Sequence, residues 1–453
     1  MNIIENCKKE LGDYFKNLPE HYYKLFWILA FNLVIRAVYI FYFTDYKNYL
    51  VTDMGAYWNR ANARFNGEIF HHSQWTSYAF MYYLYLTLVF KILFFLQLLK
   101  FKLEMIIFFN IIYSTVSMIY FYLISVQLFK SIRTAQIATL FYALCYPLIY
   151  FNALVLTENF AIPLLICCIW LLFSYKDKKL IVFLTGLLLG FTVTIRPAYG
   201  VLGLAFFIYI IYSDKLCCKS ILRGILFSTG FAIIIFIAVC EIYYMSKGES
   251  ISLYPNSTSN AFTIACKHSS VESHYKDTVF ITTPPITSVH KEWTRFETDH
   301  PLHDQKYFHK LTLECIKTNP RFIEEKIANI KYLFFNLMFP YLLTERFVTF
   351  LLPISDWLIF FMTLSLGIIY FMFKDKDSEI DRKKILFLLS LPLSVILITF
   401  IFPPEQRYMH SVVFSIYLLF FVVYENYKKY KKEAGIYFKY AILALFLYLI
   451  VFK

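Results

Sequence analysis

The feature that most constrains this chain is a series of unbroken apolar blocks. Each is roughly 17 to 25 residues long, the length at which an α-helix crosses a ~30 Å hydrocarbon layer. Backbone N–H and C=O groups find no water in lipid, so such blocks must satisfy them internally, as helices. Composition agrees: 59% of the 453 residues are hydrophobic, 21% are aromatic and only 17% are charged. A soluble domain carries about a quarter charged residues. The expected fold is an all-α polytopic membrane protein embedded in a lipid bilayer.

The net charge of +13 raises nucleic acid as a partner, but the placement of the charges argues for no nucleic acid. Lys and Arg fall in short clusters between apolar blocks, as in cytoplasmic loops under the positive-inside rule. Candidate spans are 25–43, 103–128, 134–155, 159–175, 180–197, 198–213, 224–244, 353–373, 385–402, 408–424 and 437–452. The first residues are polar and basic (Lys8, Lys9, Lys16, Lys24) and lead into an apolar block without an obvious cleavage site. They read as a signal anchor with its N-terminus inside. The clusters Lys130/Arg133, Lys176/Lys178/Lys179, Lys215/Lys219/Arg223, Lys374–Lys384 and Lys428–Lys432 are then all cytoplasmic.

That parity requires the apolar block 78–99 not to cross. It also carries Lys91 in its middle, which is costly at the bilayer centre. It is expected to lie at the outer interface, as is 332–350, which Pro340, Glu345 and Arg346 interrupt. About 11 transmembrane helices result. The chain divides into an N-terminal transmembrane module, 1–244, which includes a first outer loop, 45–102. A long outer loop with its interfacial segment follows at 245–352, then C-terminal helices at 353–453. No internal repeat is evident, which argues against the inverted-repeat layout of many transporters. No CxxC pair or tight Cys/His grouping suggests zinc.

With this topology Asp53, Glu158, Arg196 and Arg407 fall at outer helix ends from different parts of the chain. Several ionisable groups at one membrane edge point to a site. Asp53 opens Asp53-Met54-Gly55-Ala56-Tyr57-Trp58-Asn59-Arg60-Ala61, where it reads as a helix N-cap. Tyr57, Ala61 and Arg64 then share a helix face and Gly67 ends it. A carboxylate held in this way is also oriented for chemistry. Glu158 follows Thr157, a candidate cap, and either serves the macrodipole of the next helix or belongs to a site. Arg196-Pro197 makes the outer turn of the 180–213 hairpin. Its guanidinium either snorkels to headgroups or turns inward as a phosphate clamp. Arg407, in Pro404-Glu405-Gln406-Arg407-Tyr408, offers the same choice. Arg36, inside the first span, is expected to snorkel outward or to pair with a carboxylate.

The long loop holds six of the ten histidines and the Pro284-Pro285 break. His300 and His303 have ligand spacing but no third ligand fixed by sequence. Cys266 and Cys315 could pair if their compartment is oxidising. Asn256-Ser257-Thr258 fits a glycosylation acceptor, a triplet frequent by chance.

Together these segments resemble the polyprenyl-phosphate-sugar-dependent glycosyltransferases of the GT-C fold, the group containing protein O-mannosyltransferases and lipid A aminoarabinose transferases. The likeness rests on Asp53-x3-Tyr57-x3-Ala61-x5-Gly67, Leu156-Thr157-Glu158-Asn159, and Gly186-x3-Gly190-x5-Arg196-Pro197. Asn319-Pro320-Arg321-Phe322 followed by Lys326 and Lys331, and Arg407-Tyr408, complete it. The resemblance implies a hexosyl- or pentosyl-transferase in a cytoplasmic (inner) membrane with its site facing the periplasm. It would take a polyprenyl-phosphate-linked sugar donor and a lipid, glycan or protein acceptor. It implies Asp53 as general base, Glu158 as second acid, Arg196 and Arg407 on the donor phosphate, and Tyr57, Arg60 and Tyr408 lining the acceptor cleft.

Some members of the group carry paired acids in the first loop, whereas Asp53 stands between Thr52 and Met54. No cofactor is therefore assigned, and a divalent metal stays open. The Lys/Ile/Phe/Tyr/Asn bias fits an AT-rich bacterial genome and an undecaprenyl-type donor. The rival readings are a polytopic transporter or lipid/polysaccharide flippase, with ionisable groups along helix midplanes, and a surface-polysaccharide polymerase or ligase, with its chemistry on a late Arg/His-rich loop.

Overall fold

The computed structural model describes residues 20–50, 52–68, 80–212, 217–245, 248, 305–318, 381–398 and 406–426. Among them every regular element is a helix. In chain order these are α1 (Glu20–Phe43), α2 (Thr52–Phe65), α3 (Phe80–Phe95), α4 (Lys102–Leu128) and α5 (Ile132–Ala143). Next come α6 (Tyr146–Phe151), α7 (Glu158–Tyr175), α8 (Lys179–Ile195), α9 (Gly200–Tyr212) and α10 (Cys218–Met245). The last four are α11 (Gln305–Thr318), α12 (Arg382–Ile398), α13 (Gln406–His410) and α14 (Val413–Asn426).

Among the described residues four stretches are long and apolar enough to cross a membrane: Tyr22–Phe43, Leu99–Leu128, Glu158–Tyr175 and Cys218–Tyr244. Shorter apolar helices pack among them, including Lys179–Ile195, Pro197–Tyr212 and Val413–Asn426. Large apolar side chains such as Trp27 and Val34 on α1 and Phe236 on α10 stand exposed, the surface that a lipid solvent tolerates. The chain is an integral, all-α polytopic membrane protein. The expected spans 353–373 and 437–452, the segment 332–350 and the loop histidines other than His309 lie outside the described residues.

The basic clusters meet at one end of the bundle. Gln127 on α4 donates to Ser174 on α7, and Arg223 on α10 pairs with Asp177 at 2.7 Å. Lys384 on α12 sits 5.2 Å from the Phe173 ring, and the Glu425 carboxylate accepts from the backbone N–H of Lys130 and Ser131. The positive-inside pattern requires these clusters to share a side, and they share an end.

α8 and α10 pack closest of all, because glycines remove the side chains between them. A Cβ on Gly186 would meet the Phe227 carbonyl oxygen at 2.1 Å, and one on Gly230 would meet that of Phe183 at 2.4 Å. Small residues spaced in this way let membrane helices approach backbone to backbone.

Two sequence expectations change here. The span 134–155 is not one helix. It breaks between Ala143 and Tyr146, where Pro147 supplies no N–H to continue the ladder, and α6 ends at Phe151. Residues 152–157 then return to the start of α7 without forming a helix. Arg36 neither snorkels nor meets a carboxylate: it is fully buried and donates to Asn32, Asn152 and the Leu148 carbonyl.

The described part of α3, Phe80–Phe95, is another of the shorter apolar helices. Near its start Tyr85 stacks on Phe160 in the first turn of α7, centroids 4.5 Å apart. Further along, Phe90 packs on Trp58 of α2 and lies beside Lys102, the first residue of α4. α3 therefore leans along one end of the bundle, from the level of α7's first turn to that of α4's first residue. Lys91 is exposed. Gly67 ends α2 as expected: its φ is +84°, and Gly67 and Glu68 return N–H bonds to the Arg64 and Ala63 carbonyls, a Schellman closure.

Candidate functional site

The end of the bundle opposite the basic clusters carries a buried ion pair. α8 stops at Ile195 because Pro197 pushes the preceding residue out of helical conformation, and Arg196 is extended at φ −136°, ψ 91°. Pro197–Tyr199 form a single 3-10 turn before α9. The backbone thus projects Arg196 sideways at the hairpin tip, towards the first turn of α7. Its Nη1 lies 2.9 Å from Glu158 Oε1 and donates to Thr157 Oγ1 at 2.9 Å. Thr157 in turn donates to Glu158 Oε2 at 2.8 Å. The Arg196–Glu158 contact is close but poorly aligned for a hydrogen bond, so its attraction is Coulombic.

Glu158 is fully buried and Arg196 nearly so. The guanidinium lies over the rings of Tyr408 on α13, at 4.9 Å, and Tyr199, at 5.7 Å. Aromatic faces attract a cation more strongly when it is desolvated. Three parts of the chain therefore hold one cation: the start of α7, the α8–α9 tip and α13. Thr157 does not cap α7, because its hydroxyl is used between Arg196 and Glu158. The snorkelling alternative for Arg196 is likewise set aside by its burial.

Asp53 lies in the first turn of α2, which begins at Thr52. One turn on, Tyr57 is buried with Ala61 on the face that meets α3, and its ring contacts that of Tyr82 at 5.3 Å. Tyr82 packs on Tyr85, centroids 6.0 Å apart, and Tyr85 stacks on Phe160, so a row of rings runs from α2 to the first turn of α7. Arg60, also on α2, is buried. Before α2, Tyr49 packs against Tyr150 of α6, and Tyr46 donates to Glu104 at 3.4 Å. Partial burial pushes the Tyr46 phenol up, and the Glu104 carboxylate adds to this. Arg407 belongs to α13, but its side chain lies outside the described residues. Among the described residues no group of three or more His, Cys, Asp or Glu side chains could hold a metal ion.

Sequence reasoning named Asn159 only within its motif and missed Asn110 and Asn152, the other polar residues that hold the α6–α7 return. Asn110, Asn152 and Asn159 are all buried. The available signal was their polarity within apolar blocks, where a side-chain amide is retained only with partners. His410 on α13, packed against Phe151 at 5.4 Å, was also missed.

Residues 81–244, about a third of the chain, match the sequence model of the dolichyl-phosphate-mannose-protein mannosyltransferase family. The matched stretch runs from α3 through α10 and includes Thr157, Glu158 and Arg196, while Asp53, Tyr57, Arg60, Arg407 and Tyr408 lie outside it. No curated protein matches the chain. The GT-C resemblance seen in the motifs is therefore found again over the helices that build the ion pair, and over those residues the protein is similar to the dolichyl-phosphate-mannose-protein mannosyltransferases, a likeness that supports a membrane glycosyltransferase of the GT-C type.

Proposed function

We propose that this protein transfers a monosaccharide from a polyprenyl-phosphate donor to a lipid, glycan or protein acceptor, at the outer face of a cytoplasmic membrane. The observation that carries the reading is the Arg196 cation, buried and fixed on a hairpin tip by Glu158, Thr157 and two tyrosines. A guanidinium held in this way is pre-organised for a phosphate group.

In the proposed reaction the acceptor hydroxyl or amine attacks the anomeric carbon while Asp53 takes its proton. The bond from that carbon to the phosphate oxygen breaks, polyprenyl phosphate leaves with the electron pair, and the anomeric centre inverts. Arg196 offsets the charge that develops on the phosphate, and a fixed donor does so without reorganising. Glu158 keeps the guanidinium in place, Arg407 provides a second phosphate contact, and Tyr57, Arg60 and Tyr408 line the acceptor side.

The test supplies the purified protein in lipid nanodiscs with a labelled polyprenyl-phosphate sugar and a membrane lipid extract. Asp53→Asn is expected to lower turnover by about 10² to 10⁴, the usual contribution of a general base. Equal rates for variant and parent would remove Asp53 from that role. A parent that moves labelled lipid across the bilayer but transfers no sugar is a flippase. A parent that extends only pyrophosphate-linked oligosaccharides is a polymerase.

A further inference from the structure

A cation inside a membrane helix is costly unless its donors find acceptors. Arg36 meets this condition in α1 with neutral partners. Its Nε donates to Asn32 Oδ1 at 2.6 Å, and Nη1 donates to the Leu148 carbonyl at 2.8 Å and Asn152 Oδ1 at 2.5 Å. Nη2 lies 3.5 Å from the Ala143 carbonyl. The two carbonyls are not arbitrary. In an unbroken helix Ala143 would receive the N–H of residue 147, which is Pro147 and has none. The N–H of Asn152 turns to Ile149 rather than Leu148. Arg36 takes up acceptors that the break between α5 and α6 and the end of α6 leave over.

The guanidinium has donors only, so it dictates the direction of the chain of amides beyond it. Asn152 must present its oxygen to Arg36, and its NH₂ then donates to Asn159 Oδ1 at 2.8 Å. Asn159 is left with its NH₂ for the carbonyls of Phe151, at 2.7 Å, and Leu154, at 2.8 Å. Asn110 adds bonds to the carbonyls of Leu154 and Asn152. These bonds tie down the non-helical residues 152–157, which lead straight into Glu158. A cavity of about 20 Å³, room for one water molecule, is lined by Asn152, Asn159 and Glu158 among others.

We infer that Arg36 is a positioning residue for Glu158: its donor-only guanidinium sets the direction of the Asn152–Asn159 relay and locks the loop that delivers Thr157 and Glu158 to Arg196. The inference deepens the glycosyltransferase reading and rests on it for its kinetic consequence. Its structural consequence can be measured without any substrate.

The test uses the full chain in nanodiscs, with Arg36→Gln, Arg36→Lys and Asn159→Leu compared with the parent. In hydrogen exchange, Arg36→Gln and Asn159→Leu are expected to speed exchange of amides 152–158 by about tenfold or more, while α8 and α10 stay protected. In sugar transfer, kcat per folded molecule is expected to fall about 10- to 100-fold, the scale of a ~1 Å misplacement, with the donor KM little changed. Arg36→Lys should fall between Arg36→Gln and the parent, since it keeps the charge but loses the fork. In a Glu158→Gln background, Arg36→Gln should add almost nothing.

Parent-like exchange and kcat in folded Arg36→Gln would overturn the inference, and so would losses that multiply with those of Glu158→Gln. Should Arg36→Gln not fold, Asn159→Leu leaves the helix break intact and answers on the same terms. A parent that transfers no sugar defeats the glycosyltransferase reading, while the exchange result still decides on the lock.

Discussion

The α8–α10 contact and the return between α6 and α7 lie close together in the chain and solve one problem in opposite ways. In the first, regular backbone meets regular backbone, and Gly186 and Gly230 clear the space for close packing. In the second, the backbone leaves the helix inside an apolar bundle, polar side chains from α4 and α7 bind its carbonyls, and Arg36 of α1 holds the Asn152 side chain. Where no solvent can hydrogen-bond, regular segments need only shape, whereas irregular ones need donors. The ion pair stands where the two solutions meet, with Glu158 delivered by the irregular return and Arg196 by the close-packed hairpin.

The sharpest test of this contrast separates the pair. Arg196→Met removes Glu158's cationic partner from a buried site and should cost about 3–5 kcal/mol, the usual penalty for breaking a buried pair. Thermal unfolding in detergent reads the loss, and adding Glu158→Gln should recover much of it. Full stability in Arg196→Met would mean that the pair is not the junction described.

The shape-dependent region should respond next. Gly186→Ala should cost at least about 1–3 kcal/mol, as overpacking usually does, because its Cβ would meet a carbonyl oxygen at 2.1 Å. Gly203→Ala should be nearly silent, since its Cβ would lie 3.5 Å from the Phe231 ring. Similar Tm changes for the two would break the comparison. The smallest loss expected is at the basic end, above only the near-silent Gly203→Ala control. Glu425→Gln weakens the acceptor for the Lys130 and Ser131 amides and should cost about 1 kcal/mol, the worth of a typical hydrogen bond.

What the sequence reveals follows the same division. The spans of α1, α4, α7 and α10 were legible because block length is set by the bilayer, and the common end of Lys130, Lys176, Arg223 and Lys384 followed from charge parity alone. Gly67 was readable as a helix stop because its conformation is one that few other residues adopt. Arg36 was misread, because two of its partners are main-chain carbonyls, which carry no residue identity, and its side-chain partner Asn152 lies 116 residues away. The relay of Asn110, Asn152 and Asn159 was invisible for a related reason: Asn110 lies 42 residues from Asn152, and no local pattern couples them. Tyr408 was placed in the site, but its stacking on Arg196 depends on how α13 docks, which no short motif encodes.

The position of α13 and α14 has a consequence for the order in which the protein is made. Glu425 reaches back 295 residues to Lys130, and Tyr408 reaches back to Arg196. A chain emerging from the ribosome inserts its early helices first, so α7 and α8 can bring Glu158 and Arg196 together long before α13 exists. Until then the guanidinium lacks one of its two aromatic neighbours, and the turn between α4 and α5 lacks its anchor. The aromatic cover over Arg196 is therefore complete only once α13 has been made.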